Sequence, residues 1–385
     1  MASIKPNKIP KVVFIDDCIS PEFVPKELPY ESYEARDTGI AACVVTGKYN
    51  HASLCYTIFR DNVHTPYHLT SIKVLDNKTG TGNSGALLAA LSWCGDNDVD
   101  LINMSMGTRQ YEDFAPICKA IERLSDVAIV SACSNKNELT FPACLPSVIG
   151  VRHCDCMPPD GSFIYLDNPF DNIDILTYAN DLTIHVGGNI YTSFYRGSSF
   201  AVPLISARVC TYLSHGNGSC DVRQFLKNSS LKDTSFVSYE FYKNLHRKWS
   251  SVDVPLVALF SDSFDNASKL KPLFELFALE GYRAVLLSDK HETNIVEFTF
   301  HLGLNNEIAL RKQIELIYNF AQPDIIFLDM HCAVFAGLGL NLDIVLKNSY
   351  TQCPVPESCE NCCVIDMGLS AAVLFKLIVE HLTGE

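Results

Sequence analysis

The chain has 385 residues, enough for two or three domains of roughly 100–200 residues each. Apolar residues make up 48% and charged residues 19%, a balance that supports a buried core and excludes disorder, collagen and coiled coil. Acidic residues outnumber basic ones 44 to 30, for a formal charge of −14, and no basic cluster occurs, so nucleic acid and anionic membranes are poor partners. In chain order, KVVFI (11–15) reads as a fully buried parallel strand ended by Asp16 and Asp17. A helix is expected at about 35–46, a strand at Ser71–Leu75, and a helix over GALLAALSWCGDN, stopped by Gly95 and Asp96. VDLINMSMG reads as a strand, Phe114–Leu124 as a helix, and VAIVSACSN as a strand with a polar end. Alternation of strand and helix predicts a parallel sheet covered on both faces, with chemistry at the carboxyl ends of the strands.

The composition turns polar after residue 215, which sets a first domain at 1–220 and a linker at 221–251. A second, smaller α/β domain is expected at 252–385. Its expected order is VALF strand, KPLFELFALEGY helix, RAVLLSD strand, IALRKQIELIYNFA helix, PDIIFLD strand, DIVLKN helix, CCVIDM strand and LSAAVLFKLIVEHL helix. The 16 cysteines sit largely in apolar contexts, and the N-terminus lacks the apolar region of a secretory signal. Free thiols in a reducing cytoplasm are therefore expected. No stretch of 18 apolar residues occurs, so no membrane span is expected.

Three polar segments invite a joint reading: VVFIDDCI, INMSMG followed by VAIVSACSN, and YRGSSFAVP, in which a Gly-Ser-Ser turn opens a small-residue helix. A serine at a helix N-terminus sits where free N–H groups favour developing negative charge. Standing by itself, such a serine is more often a cap than a nucleophile. In order and spacing, however, these segments resemble the subtilase family of serine peptidases, over roughly residues 10–215. VVFIDDCI resembles the family's V-I-D-T-G-I and gives Asp16 the position of the triad acid. SIKVLDNKTGTGNSGALLAALSWCGDNDVDLINMSMG resembles the central block, which implies that Ser105, Met106 and Gly107 pair with a substrate backbone. VAIVSACSNKNELTFPACLPSVIGV gives Asn135 the oxyanion position, and GSSFAVP resembles G-T-S-M-A-x-P, with Ser199 as nucleophile and Pro203 in the helix after it. The implied fold is a subtilisin-like parallel sheet with helices on both faces, followed by a Rossmann-like α/β domain.

One motif departs from the family. The best match to H-G-T-x-x-A is RDTGIAAC, which puts Asp37 where the general-base histidine belongs, while His51, His64 and His68 fall too late in the chain. A carboxylate, with an ordinary pKa near 4, is a far weaker base at neutral pH than imidazole. The related sedolisins replace the histidine by Glu and add an Asp on the same helix, as Glu34 and Asp37 would allow, but they carry Asp rather than Asn at the oxyanion position. A histidine such as His331 supplied from the second domain is a further route. The expected function is thus a subtilisin-like endopeptidase homologue impaired by loss of its histidine, or a non-catalytic scaffold that binds a precursor or leader peptide. The position of Asp16 leaves little room for an inhibitory pro-segment, which accords with low activity.

The second domain faintly resembles peptide-maturation proteins of clostridial natural-product clusters, which implies a ribosomally made peptide as substrate and a modifying enzyme as partner. No cofactor and no metal are expected. Cys353, Cys359, Cys362 and Cys363 could in principle hold zinc, but adjacent cysteines rarely both ligate one ion, and Cys154–Cys156 is a poorer pair. KTGTGNSG lacks the Lys-Ser/Thr of a phosphate loop.

Overall fold

A computed structural model describes residues 8–43, 50–76, 79–179, 182–186, 189–193, 196–260, 266–302, 307–330, 341–348 and 362–384. His331, Cys353 and Cys359 lie outside the described residues. The run KVVFID forms β1 (Lys11–Asp16), whose residues from Val12 to Asp16 are all buried. A strand buried on both faces belongs at the centre of a covered parallel sheet, and β1 sits there. It pairs in parallel with β4 (His68–Lys73) on one side and β5 (Leu101–Met104) on the other. Outward from β4 come β2 (Tyr30–Arg36) and the edge strand β3 (Gly39–Ala42). Outward from β5 come β6 (Ala128–Ala132), β7 (Ile149–His153), β9 (Ile175–Thr177) and β8 (Phe163–Tyr165). Only the end pairs, β2–β3 and β8–β9, are antiparallel. A separate hairpin joins β10 (Leu182–Val186) to β11 (Asn189–Ser193).

Helices cover both faces. Val12 and Phe14 pack with apolar residues of α1 (His51–Asn62) and α4 (Ser198–Ser214). On alternate residues β1 faces the other way, and α2 (Ser84–Asp96) packs on β1–β3 and on α3 (Phe114–Glu122). The helix expected over 35–46 is absent: its described part runs through β2, a turn at Asp37–Thr38 and β3, with Gly39 at φ 134°. Glycine accepts that left-handed-side conformation without the cost of a Cβ.

The chain divides into two compact units, Met1–Phe236 and Val237–Glu385. The expected linker is itself folded. Helix α5 (Val222–Ser229) buries Val222 and Leu226 in the first unit's core. Arg223 of α5 pairs with Asp174 and donates to the carbonyls of Pro146 and Val148 at 2.8 and 2.6 Å. Helix α6 (Tyr239–Leu245) belongs to the second unit, where Tyr239 donates to Glu315 at 2.7 Å.

In the second unit a six-stranded sheet is parallel throughout. Its strands are β12 (Leu256–Phe260), β13 (Ala284–Ser288), β14 (Thr299–His301), β15 (Ile325–Asp329), β16 (Ile344–Lys347) and β17 (Cys363–Asp366). They lie in the order β14-β13-β15-β12-β16-β17. Helices α7 (Asn266–Leu279) and α8 (Glu307–Ala321) connect strands, and α9 (Ala371–Thr383) follows β17. Counted within this unit the order is 3-2-4-1-5-6, which differs from the 3-2-1-4-5-6 of the dinucleotide-binding fold. DIVLKN, expected as a helix, is the strand β16: Ile344, Val345 and Leu346 are all fully buried, which suits a central parallel strand and not an amphipathic helix. Every cysteine among the described residues is free, and Cys362 donates its thiol to the Leu342 carbonyl at 2.8 Å. No helix among the described residues is long and apolar enough to cross a membrane.

Candidate active site

Asp16 ends β1 at the carboxyl edge of the sheet and is fully buried. Its Oδ1 accepts the Asp17 amide at 2.8 Å. Both carboxylate oxygens approach Nδ1 of His51, at 3.0 and 2.9 Å. His51 is the first residue of α1, and the sequence sets that helix start firmly. Asn50 is the cap, accepting the Ser53 amide at 3.0 Å. The Asp17 carboxylate accepts the amides of His51 and Ala52 at 3.2 and 2.8 Å. Acceptors of this kind satisfy the free N–H groups of a first turn, and a carboxylate there also meets the positive end of the helix dipole. The two acidic neighbours in VVFIDDCI therefore have different work: Asp16 holds the imidazole and Asp17 holds the helix that carries it.

Burial works to lower the His51 imidazole, and the Cys55 sulfur and the Asp16 carboxylate more than offset it, so its pKa lies above the ordinary value. Burial pushes the Cys55 thiol up; it stays neutral, which leaves Asp16 as the charge that holds a proton on the ring. Asp17 is raised too, by burial first and by Asp16 second. One turn along α1, Cys55 lies 3.8 Å from His51 Nε2 and donates to the Ser199 carbonyl at 3.5 Å. The Phe200 ring meets the imidazole at a centroid distance of 5.1 Å. The N-terminal turn of α4 thus adjoins His51.

Two serines begin α4, and their surroundings separate them. Ser198 is 2% exposed; its hydroxyl accepts the His153 amide at 3.3 Å and contacts Cys133 Sγ at 3.4 Å. Ser199 is half-buried and stands on the side of Cys55 and His51. Asn135, in the loop after β6, accepts the Ser198 amide on Oδ1 at 2.8 Å. That bond fixes the side-chain amide and leaves its Nδ2 as the donor. Gly197 permits the approach, since a Cβ there would stand 3.2 Å from Nδ2. Ser105–Gly107 continues β5 beyond the sheet, with Ser105 buried and Gly107 exposed.

Asp37 is not part of this group. Its carboxylate lies in the β2–β3 turn against Gly85 in the first turn of α2, where a Cβ would stand 2.7 Å from its Cγ. It lines a cavity of about 550 Å³ with Glu34, Lys73 and Asp76. The string RDTGIAAC matched the family's motif in letters but folds as a hairpin, so position 37 does not reach Asp16. The residue that sequence reasoning set aside is His51. Its signal was present in part: HASLCY follows H-G-T-x-x-A with Ala52 for Gly and Ser53 for Thr, and departs from it with Tyr56 for Ala. The first two exchanges keep small residues in the buried first turn of α1. Oxygen, nitrogen and sulfur ligand atoms of Asp16, His51 and Cys55 all lie within 4.8 Å of one another. Within the trio, Nδ1 of His51 is committed to the carboxylate and Nε2 faces the Cys55 sulfur.

Sequence comparison finds subtilisin E of Bacillus subtilis (strain 168), 26% identical over 201 residues, covering 50% of this chain and 49% of that protein. An intracellular serine protease of Paenibacillus polymyxa is 26% identical over 160 residues, covering 39% of this chain and 47% of that protein. The chain spans about half the length of these curated relatives. Among solved structures, a cold-adapted subtilisin-like serine proteinase aligns with a TM-score of 0.44 at 18% identity, covering 60% of this chain and 92% of that one. No protein-family model matches the chain. The subtilisin matches, together with Asp-, His-, Asn- and Ser-bearing segments in the family's order, support a subtilase-family assignment.

Proposed function

We propose that the chain is a serine endopeptidase with Asp16, His51 and Ser199 as its triad and Asn135 as oxyanion donor. The observation that carries this reading is the buried Asp16 carboxylate bonded to Nδ1 of a half-exposed His51. With Nδ1–H donated to Asp16, Nε2 is the basic nitrogen. It takes the proton of the Ser199 hydroxyl as the oxygen attacks a peptide carbonyl, then returns that proton to the departing amine. The negative oxygen of the tetrahedral intermediate is met by Asn135 Nδ2 and by the N-terminus of α4. Water then repeats the sequence on the acyl-enzyme. An imidazole at the base position removes the ground for expecting impaired chemistry.

An extended substrate adds as a strand along Ser105–Gly107, main chain to main chain. Any peptide or unfolded protein segment fits this mode, and a precursor peptide delivered by a modifying enzyme is one substrate that it admits. A fluorophosphonate probe tests the reading. Labelling lost in Ser199→Ala and in His51→Ala supports it; a folded wild-type protein left unlabelled between pH 5 and 10 would instead be a peptide-binding scaffold.

A further inference from the structure

Asn103 of β5 interrupts an apolar layer. It stands in register between Phe14 of β1 and Val130 of β6, both members of the cluster packed with α1 and α4, and it is fully buried. An amide taken from water into such a layer is costly unless it is hydrogen-bonded. Asn103 is bonded at both ends of its amide. Its Oδ1 accepts the Ser206 hydroxyl of α4 at 2.9 Å, and its Nδ2 donates to the Ser105 hydroxyl at 3.2 Å. Ser206 is fully buried and Ser105 nearly so.

The two serines belong to different parts of the candidate site. Ser206 lies two helical turns after Ser199, on the same face of α4. Ser105 opens the Ser105–Gly107 extension, on the same face of its strand as Asn103. From Ser105 the path continues: its hydroxyl bonds the Cys55 sulfur, and Cys55 donates to the Ser199 carbonyl at 3.5 Å. The chain Ser206–Asn103–Ser105–Cys55–Ser199 therefore starts and ends on α4 and passes through β5 and α1. Each member donates to the next, an arrangement in which successive bonds strengthen one another. A second tie holds the extension from β6, where Ser131 donates to the Met106 carbonyl at 3.4 Å.

We propose that Asn103 is a positioning residue for peptide cleavage: its side-chain amide joins the helix of the nucleophile to the strand that receives the substrate, and so sets the distance between the Ser199 hydroxyl and the scissile carbonyl. This inference rests on the peptidase reading. A misplacement of about 1 Å costs about 10²-fold in rate, and contacts remote from the scissile bond raise kcat only when they are coupled to the reacting atoms.

The test compares two peptides, short and long on the acyl side of the cleaved bond, in wild type, Ser206→Ala and Asn103→Leu. In the wild type the long peptide should have the higher kcat, by about tenfold or more. Ser206→Ala should lower the long-peptide kcat by about tenfold and Asn103→Leu by about 100-fold, with KM within about twofold, so that the advantage of length disappears. Fluorophosphonate labelling of Ser199 makes no use of the strand and should stay within about threefold of wild type. A role confined to packing would lower stability and leave the length dependence intact. If Asn103→Leu does not fold, Ser206→Ala carries the test, since it removes a single hydroxyl. A folded Ser206→Ala protein that keeps the advantage of length overturns the proposal, as does a wild type whose kcat is indifferent to length. A loss shared equally by labelling and by both peptides overturns it too. Absence of labelling in the wild type overturns the peptidase reading itself, and the proposal with it.

Discussion

Both sheets end a central strand in a fully buried aspartate: Asp16 on β1 and Asp329 on β15. Their partners differ. Asp16 meets the imidazole of His51 at 2.9 Å, and Asp329 meets the ammonium of Lys290 at 2.8 Å. A parallel sheet delivers polar groups at its carboxyl edge wherever it occurs. What distinguishes the first unit is an imidazole partner, which has a second ring nitrogen free of the carboxylate and stands beside a serine at a helix N-terminus. The pairing in the second unit sets an ammonium, with donors only, against the carboxylate.

The comparison breaks most sharply at His51. His51→Ala and Asp16→Asn should each lower peptide cleavage by about 10⁴-fold or more, whereas Asp329→Asn should leave the Ser199 labelling rate within about twofold of wild type. If Asp329→Asn silences labelling instead, the two strand ends are not the separate things described here.

Next in size is a stability effect. Arg152 and Asp171 form an ion pair at 2.6 Å with side chains 2% and 0% exposed, and Asp171→Ala leaves the guanidinium without its carboxylate. Unfolding in urea should show a loss of about 3–5 kcal/mol. Asn135→Ala should cost about 10²–10³-fold in kcat with little change in KM, since the oxyanion forms only on the way to the intermediate.

The pH profile sharpens the contrast further. Because the His51 imidazole is raised and must be neutral to accept the serine proton, kcat/KM should climb with pH, with its acid limb above the ordinary histidine value near 6.5. The stability sign is opposite. A raised histidine contributes its full stabilisation below pH 6.5 and loses it as pH rises through the native value. Titrating cleavage and unfolding in parallel should show one rising while the other falls. The smallest effect belongs to Asp37→Ala, expected within about twofold of wild type in cleavage, since the residue lies at α2 and away from Asp16.

Much of the fold was legible locally. Apolar runs of four to six residues with polar ends became β1, β5, β6, β12, β13 and β15, because burial on both faces leaves no other use for them. Asp16, Asn135 and Ser199, singled out from local pattern, each sit where a strand or turn meets a helix. Two segments were misread for a shared reason. The described part of 35–46 and DIVLKN have small or branched residues that tolerate helix and strand alike, and pairing of β2 with β3 in one case and of β16 with β12 in the other settled them as strands.

The sequence by itself determined the parallel α/β plan, since strand ends and helix starts are written in local pattern. Which of several histidines would meet Asp16 was decided only in three dimensions. Thirty-five positions separate the two residues, and what closes that gap is the packing of α1 on β1 and α4, with Asn50 and Asp17 fixing where the helix begins. Distance along a chain says little about reach when a hairpin lies between, and the burial of Phe14, Cys55 and Phe59 in one cluster sets that reach instead.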